Sequence, residues 1–218
     1  MPDELLKKLW GNGDCNYAWS PAINAAVGLL TIWDPSKIHV HSQFSGSGFL
    51  GLIVMVRDFG DTMVLVNMYA PSEGRLKKRL WDELILCKEN SPISLWCVAG
   101  DSNSVRSLKE RVGLVYGMYA TTDIEVYNNF IEQLELVDVP LGGRKFTWFR
   151  PNGTVNSRID RILVSRSWFV RWPGVSQLVL NRGISDHCPI LMRNKVVDWP
   201  QAILLSVRFF YYGAYFLV

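Results

Sequence analysis

The chain has 218 residues, of which 49% are hydrophobic and 20% are charged, and its formal net charge is +3. This composition excludes a disordered chain, and a chain of this length buries about 70% of its unfolded surface without a disulfide or a structural metal. A charge of +3 permits a phosphate-bearing partner but does not predict one.

The cysteines and the first residues bear on location. Cys15, Cys87, Cys97 and Cys188 are scattered, and none has the short spacing of a zinc half-site. We therefore expect free thiols in the core of an intracellular protein. The opening residues are charged and lack a long apolar run, so no secretory signal is predicted.

The first part of the chain predicts strands separated by turns. A continuous apolar run at residues 27–33 indicates a buried strand, and the alternating run at 38–44 indicates a half-buried one. His39 and His41 belong to this alternating run and are interpreted as structural. Residues 45–48 predict a turn, and residues 49–57 and 62–69 predict a hairpin around Phe59-Gly60-Asp61.

Helical spacing predicts a first helix over residues 72–88, with Ser72 as its N-cap. The apolar residues that define its buried face are Leu76, Leu80, Leu84 and Cys87. Lys77, Lys78 and Arg79 are assigned to the solvated face, and phosphate binding is the alternative. A continuous apolar strand is predicted next, over residues 93–99.

A second helix is predicted to begin at a capping box formed by Thr122 and Glu125. Its buried residues are expected to be Tyr127, Phe130, Ile131 and Leu134. Three more strands are predicted over residues 145–149, 158–164 and 188–192. Because strands and helices interleave, the pattern favours an α/β or α+β sandwich with mixed sheets over a uniform parallel barrel.

The segment 202–218 is hydrophobic and contains one charge, Arg208. It is shorter than the roughly 20 residues that a membrane-spanning helix needs, and a charge near its middle disfavours insertion. A tail that packs on the domain or has no native partner is the preferred interpretation, and a membrane anchor remains an alternative.

Polar residues follow the apolar strands at four places. Asp101 and Asn103 follow residues 93–99; two residues apart on an extended backbone, they would project the same way and hold a hard cation such as Mg2+. An Asx turn is the alternative. Asp186 and His187 precede another strand, where an acid and an imidazole suit proton transfer, and a surface turn is the alternative.

The other two clusters combine charges with donors. Arg158 and Asp160 alternate with Ile159 and are expected to share a sheet face. A structural ion pair accounts for Arg158 and Arg161, whereas Asp160 is the candidate to orient a histidine. Tyr69 and Arg75 follow another strand and are candidate donors to phosphate oxygens.

The order of these clusters is more specific than any one of them. Tyr-Ala-Pro is followed by Gly-Asp-Ser-Asn, then by Ser-Arg-Ile-Asp-Arg, then by Ser-Asp-His-Cys-Pro. This order resembles the endonuclease/exonuclease/phosphatase superfamily, which has the DNase I-like fold. The stretches LVDVPLGGRKFTWFRPNG, SRIDRILVS and ISDHCPILMRN are most similar to the endonuclease domain of LINE-type non-LTR retrotransposons, and the resemblance covers roughly residues 9–199.

The resemblance implies a four-layered DNase I-like sandwich of two mixed β-sheets flanked by helices. It also implies hydrolysis of a phosphodiester bond with Mg2+ or Mn2+, by in-line displacement at a site that stabilises negative charge. Asp101 would position or activate the attacking water, Asn103 would orient it, and His187 would contact the scissile phosphate. Asp160 would hold the correct tautomer of His187, and Asp186 would contribute to the metal region.

For the substrate, the resemblance implies that Tyr69 donates to the phosphate and that Thr147 and Trp148 support the groove. DNA is the partner it implies, and a nuclear location follows from the same resemblance. No protein partner is inferred.

Two early family motifs have no match in the chain. Family members begin with a strand ending in Asn and a strand with a Q-E-x-K-like segment, whose Glu is a principal metal ligand. This chain opens at PDELLKKLWG, which resembles the helix after that segment, and Glu4 does not match the motif. We therefore expect the first strands to be lacking, an open sheet edge, weak Mg2+ binding and little or no activity.

The expected organisation is a partial domain over residues 1–199 and a hydrophobic tail over 200–218 that lies outside the family pattern. Ser102 stands where the family usually has an aromatic residue. Three functions stay open: a metal-dependent DNA endonuclease of weak or no activity, a non-catalytic pseudo-nuclease with residual nucleic-acid binding, and a phosphatase of small phosphorylated substrates.

Overall fold

The structure, a computed structural model, describes residues 3–11, 13–21, 28–113, 118–183, 185–194, 207–211 and 214–217. Two β-sheets pack face to face, and helices cover their outer faces. Both sheets contain parallel and antiparallel pairs, so the predicted four-layered sandwich of two mixed sheets is confirmed.

One sheet has seven strands. With strands numbered in chain order, they are β1 (Asn16–Ser20), β2 (Leu29–Trp33), β9 (Leu141–Gly143), β13 (Val175–Val179), β14 (Ile190–Asn194), β15 (Val207–Tyr211) and β16 (Ala214–Leu217). Their spatial order is β1-β2-β15-β16-β14-β13-β9. The pairs β9–β13 and β14–β16 are parallel, and the remaining neighbours are antiparallel.

The other large sheet has six strands. They are β3 (Ile38–Gly46), β4 (Phe49–Val56), β5 (Thr62–Tyr69), β6 (Trp96–Asp101), β8 (Leu136–Asp138) and β12 (Asp160–Ser165). Their order is β3-β4-β5-β6-β12-β8, with β5 and β6 parallel and the other neighbours antiparallel. Three short strands form a separate small sheet: β7 (Arg111–Val112), β10 (Trp148–Phe149) and β11 (Asn156–Ser157).

The helices are α1 (Asp3–Trp10), α2 (Gly74–Glu89), α3 (Met118–Gln133) and α4 (Arg166–Arg171), and Leu108–Glu110 forms a short 3-10 helix. Side chains of α2 and α3 pack on the outer face of the six-stranded sheet. Leu6 of α1 packs with Leu30 and Ile32 of β2 on the outer face of the other sheet.

Strand alternation divides the core into layers. In β6, Cys97 and Ala99 face the seven-stranded sheet, whereas Trp96 and Val98 face the helices. The predicted apolar strand buried on both faces is therefore confirmed, although it begins at Trp96 and not at residue 93. Asp101 lies two residues after Ala99 in β6, so its side chain also points between the two sheets.

The start of α2 differs from the prediction. The helix begins at Gly74 and its N-cap is Glu73, so Ser72 is not the cap, and Glu73 makes no side-chain capping bond. Leu80 and Leu84 are buried as predicted, but Leu76 is 45% exposed. Trp81, and not Leu76, is buried in the core.

The predicted capping box of α3 is wrong. The helix already includes Met118, so Thr122 and Glu125 lie within it and are exposed. The residues predicted to be buried are buried, from Tyr127 to Leu134. The ring of Phe130 stacks on Trp81 of α2, with centroids 4.2 Å apart, so the two helices share one aromatic core.

The hairpin of β4 and β5 is confirmed. The turn predicted over residues 45–48 is confined to Ser47 and Gly48, because β3 extends to Gly46. His39 and His41 are exposed on β3. The four cysteines are thiols and not disulfides; Cys97 and Cys188 are buried, whereas the other two are partly exposed.

The hydrophobic tail contributes to the seven-stranded sheet. β15 pairs with β2, and β16 pairs with β14, so β2 and β14 each have a partner strand on both sides. The remaining residues of 202–218 lie outside the described part. Among the helices described, none combines the length and apolar character required to cross a membrane.

Candidate active site

Three neighbouring strands bring polar side chains to one edge of the six-stranded sheet. β5 and β6 are parallel, so their last residues, Tyr69 and Asp101, are paired. β12 runs antiparallel to β6, so its first residue, Asp160, is paired with Asp101. By strand alternation these three side chains point towards the other sheet, at the rim of the inter-sheet space.

Gly100 permits this close arrangement. Its φ is +151°, and a Cβ at this position would lie 1.8 Å from the carbonyl oxygen of Met68. A side chain here would therefore collide with the β5 backbone, and the strand that delivers Asp101 requires glycine.

His187 joins the cluster from the other sheet, just before β14. Its Nδ1 lies 3.0 Å from both carboxylate oxygens of Asp160, and both residues are buried. One ligand atom from each of Asp101, Asp160 and His187 lies within 4.8 Å of the others. Residues separated by 86 positions in sequence thus share one site.

The electrostatics of the cluster favour positive charge. Burial lowers the pKa of His187, but the Asp160 carboxylate raises it more, to about 9, so the imidazole is protonated at neutral pH. Burial and then Asp160 raise the pKa of Asp101 to about 8, although His187, the Asn103 amide and Lys77 oppose this rise. The buried carboxylates therefore hold more negative charge than their surroundings compensate, and a proton or a cation relieves it.

Asn103 follows Asp101 in a turn and not in an extended strand. Its φ is +48°, so the expectation that Asp101 and Asn103 project the same way from an extended backbone is wrong. The Asn103 backbone N–H donates to Asp101 Oδ1 at 2.7 Å, which is the Asx turn weighed as an alternative. The Asn103 side chain donates through Nδ2 to the carbonyl of Ala70 at 2.9 Å, at the end of β5.

Thr147, Trp148 and Asp186 surround the pair of Asp160 and His187. Thr147 is fully buried, and its hydroxyl accepts the backbone N–H of Asp160 at 3.1 Å. Its carbonyl accepts the N–H of Cys188 at 2.6 Å. Trp148 donates its indole N–H to Asp186 Oδ2 at 2.9 Å, and its backbone bridges to His187. Thr147 is therefore a buried residue whose hydrogen bonds to Asp160 and to Cys188, the residue after His187, help to position Asp160 and His187.

Tyr69 and Arg75 have different positions. Tyr69 is half-buried, and burial raises the pKa of its phenol, followed by the charges of Asp101, Asp186 and Asp160, so its ring lies beside the cluster. Arg75 lies in the first turn of α2 and is exposed, where it lines a surface cleft with Lys78 and Arg79.

Arg158 and Asp160 do not share a face, which corrects the alternation expected for them. Arg158 precedes β12, and its guanidinium pairs with Asp138 at 2.8 Å and Glu110 at 3.4 Å. Arg161 pairs with the same two carboxylates. The two arginines thus form the predicted structural ion pairs, and Asp160 alone turns to His187.

Sequence reasoning missed Lys77. It was assigned to the solvated face of α2, but it is 4% exposed, and its ammonium reaches the turn after Asp101. The spacing of Lys77 from the buried Leu80, Trp81 and Leu84 is helical and was the signal that places it on the inner face.

The donors present fit a hard divalent cation. Asp101 offers a carboxylate oxygen, a ligand that Mg2+ and Mn2+ prefer, within 4.8 Å of ligand atoms of Asp160 and His187. Burial, and after it the charge of Asp160, raises the pKa of Asp101, so a bound cation would stabilise the ionised form of this carboxyl. Asp160 is less suited, because both its oxygens contact His187.

Comparisons with known proteins concern the family and the fold of the chain. Residues 8–187 match the model of the Endonuclease/Exonuclease/phosphatase family. Similar solved structures include the endonuclease domain of TRAS1, a telomere-specific non-LTR retrotransposon, with a TM-score of 0.56, 13% identity, and coverage of 80% of this chain and 75% of that one. No curated protein matches the chain in sequence.

Two further structures show the same fold. An endonuclease/exonuclease/phosphatase from Bacteroides vulgatus has a TM-score of 0.55 and 14% identity, and the match covers 79% of this chain and 73% of that one. Humanized TDP2 of D. rerio has a TM-score of 0.53 and 13% identity, with coverage of 85% and 78%.

Proposed function

The chain belongs to the endonuclease/exonuclease/phosphatase family, and from that premise we propose that it is a divalent-metal-dependent phosphodiester hydrolase that acts on DNA with low activity. The observation that supports this proposal is the cluster of Asp101, Asp160 and His187, whose ligand atoms lie within 4.8 Å of one another.

In the proposed reaction His187 acts as a cation. Its pKa of about 9 keeps the imidazolium at neutral pH, and Nδ1 donates to Asp160. The opposite ring nitrogen, Nε2, then donates a hydrogen bond to an oxygen of the scissile phosphate. A fixed donor of this kind stabilises the negative charge that develops in the transition state.

Asp101 and Asn103 act on the attacking water. Asp101, once ionised, accepts a proton from that water as the water oxygen attacks phosphorus in line. The bond between phosphorus and the leaving oxygen breaks, and that oxygen takes a proton from solvent. The Nδ2 of Asn103 already donates to Ala70, so its Oδ1 is the atom that orients the water. Asp101 and Asp186 would hold the Mg2+ or Mn2+ ion, which when bound supplies positive charge that neutralises the phosphate.

Basic and aromatic side chains near the cluster support DNA as the substrate. Arg144, Lys145 and Arg182 are exposed on the segments that flank Trp148 and Asp186. Arg182 lies over the ring of Phe149, 5.5 Å from its centroid. Cationic groups contact backbone phosphates, and aromatic rings at such a groove stack on bases. An intracellular, nuclear location of the protein stays a prediction.

Low activity is proposed from the ligands at hand. Among the residues that the structure describes, no glutamate joins the cluster, and Asp160 is committed to His187. Mg2+ sites in proteins use only one or two carboxylates, so the engagement of Asp160 with His187 removes a large part of the ligand set and leaves Asp101 and Asp186 to hold the ion. We expect weak metal binding and slow turnover.

The test is nicking of a supercoiled plasmid with Mg2+ or Mn2+. The expected result is slow nicking that His187→Ala abolishes and that a control variant, His39→Ala on the exposed face of β3, leaves unchanged. Rapid nicking that depends on His187 would contradict the low activity but support the enzyme.

The same preparation separates the other two functions. Salt-dependent DNA binding with no nicking would indicate a non-catalytic pseudo-nuclease. Turnover of small phosphate esters, without nicking of DNA, would indicate a phosphatase.

A further inference from the structure

Lys77 is a buried cation within hydrogen-bonding distance of the turn that follows Asp101. Its ammonium donates to the carbonyl oxygen of Asn103 at 2.9 Å, to the hydroxyl of Ser104 at 2.9 Å and to Asp123 Oδ1 at 2.7 Å. These three bonds use all three N–H groups of the ammonium. Lys77 therefore joins α2 to the turn and to α3.

A salt bridge with Asp123 does not by itself account for this arrangement. Removing an ammonium from water is costly, and a single carboxylate that is itself 31% exposed compensates it incompletely. Two of the three bonds go to the turn, and both of its acceptors are uncharged. The turn is thus the main contact of the buried cation.

The turn itself needs support. Asn103 has a φ of +48°, a left-handed conformation that is uncommon for residues other than glycine. Three hydrogen bonds hold this residue. Its backbone N–H donates to Asp101, its side-chain amide donates to Ala70, and its carbonyl oxygen accepts from Lys77. Each of the three acts on a different part of the residue.

From this geometry we infer that Lys77 is a positioning residue, which fixes the carbonyl of Asn103 and thereby keeps the Asn103 N–H on Asp101 and its amide at the site. Its effect on catalysis rests on the proposed function, because Asn103 is assigned the orientation of water there. Its effect on the turn does not, and the two are measured separately.

The first measurement is amide hydrogen exchange by NMR in Lys77→Met, which keeps an unbranched side chain and removes the ammonium group. The Asn103 N–H should exchange at least about tenfold faster, while the amides in the middle of α2 and α3 keep their protection. Lys78→Met is the matched control, because Lys78 is exposed and pairs only with Asp82 four residues along the same helix. It should leave Asn103 unchanged.

A second variant separates positioning from the bridge between the helices. Asp123→Asn weakens the contact to α3 but keeps both donations from Lys77 to the turn. We expect its Asn103 exchange to match the wild type. If Asp123→Asn accelerated Asn103 as much as Lys77→Met, or if Lys77→Met accelerated every amide equally, the helix bridge would explain Lys77 and the inference would be wrong. Should Lys77→Met fail to fold, Asp123→Asn is compared with the wild type: unchanged exchange of the Asn103 N–H would support the positioning role, and faster exchange would show that the helix bridge supports the turn and would refute it.

The kinetic arm uses plasmid nicking. Lys77→Met should lower kcat by at least about tenfold with little change in KM, because the groove is intact and the water is misplaced. Lys77→Arg retains donors and charge and should recover part of the rate. Faster Asn103 exchange without nicking by any variant, wild type included, would refute the proposed function and leave the positioning role intact. An unchanged kcat in a folded Lys77→Met that nicks DNA would refute the catalytic consequence.

Discussion

Replacing Asp160 by Asn should return the pKa of His187 from about 9 to its ordinary value of 6.5 or below. In the wild type, burial lowers this pKa, and the charge of Asp160 together with its hydrogen bond raises it to about 9 from the ordinary 6.5. That difference corresponds to about 3 kcal/mol in favour of the imidazolium. Asparagine has nearly the same shape but no charge. Burial is then opposed only by the charges of Asp101 and Asp186, whose effects on this pKa are smaller than that of Asp160, and we expect a value near or below 6.5.

The sign of the linked stability follows from the raised pKa. A histidine with a folded-state pKa above its unfolded value stabilises the fold fully below pH 6.5, and this contribution is lost as the pH rises to about 9. Asp160→Asn should therefore lower the free energy of unfolding by up to about 3 kcal/mol near pH 6, and by less above pH 9.

The assay is an NMR titration of the His187 ring protons in a metal-free buffer with chelator. The chain has three histidines, and His39 and His41 are exposed on β3, so their resonances serve as internal controls that the substitution should not move. Urea unfolding at pH 6 and pH 9 measures the linked stability. A His187 pKa that stays above about 8 in Asp160→Asn would refute the assignment of Asp160 as the cause.

Two other predictions concern a buried ion network and the candidate metal site. Arg161→Met should lower the free energy of unfolding, measured in urea, by about 3–5 kcal/mol, because Arg161 is 1% exposed and its removal leaves Glu110 and Asp138 with too little positive charge. The control, Arg79→Met, breaks an exposed pair with Glu83 and should lower the free energy of unfolding by no more than about 1 kcal/mol. Equal losses in the two variants would contradict the argument. The affinity for Mn2+, measured by electron paramagnetic resonance, should increase about tenfold for each unit by which the pH rises, up to about pH 8, and then level off. The reason is that burial and Asp160 raise the pKa of Asp101, and the ion must displace the proton of this carboxyl. Asp101→Asn should remove that pH dependence, and a profile as steep in this variant would show that another group binds the ion.

Local patterns were sufficient for much of the fold. The apolar runs and their alternation predicted β2, β4, β5 and β6 to within a few residues. This succeeds because residues two apart in a strand point to the same face of the sheet, so a buried face appears directly as a sequence pattern. The order of the polar clusters, through the family that it resembles, was also sufficient to associate Asp101, Asp160 and His187.

Helix ends were less predictable. A capping box at Thr122 and Glu125 is a local signal, but α3 extends past it to Met118. A cap stabilises a helix by about 1 kcal/mol, so packing of a longer helix readily outweighs it. The same holds for Ser72, which α2 does not use.

What the sequence by itself determined is the set of chemical groups: three carboxylates, an imidazole, an amide and a phenol, each at or next to one end of a strand. What the tertiary structure decided is which groups meet. Strand register paired Asp101 with Asp160, and the packing of α2 buried Lys77 beneath Asn103, whereas Arg158 turned away to Glu110 and Asp138. These contacts join residues far apart in the chain, and they follow from the packing of two sheets and two helices, which no local pattern of residues encodes.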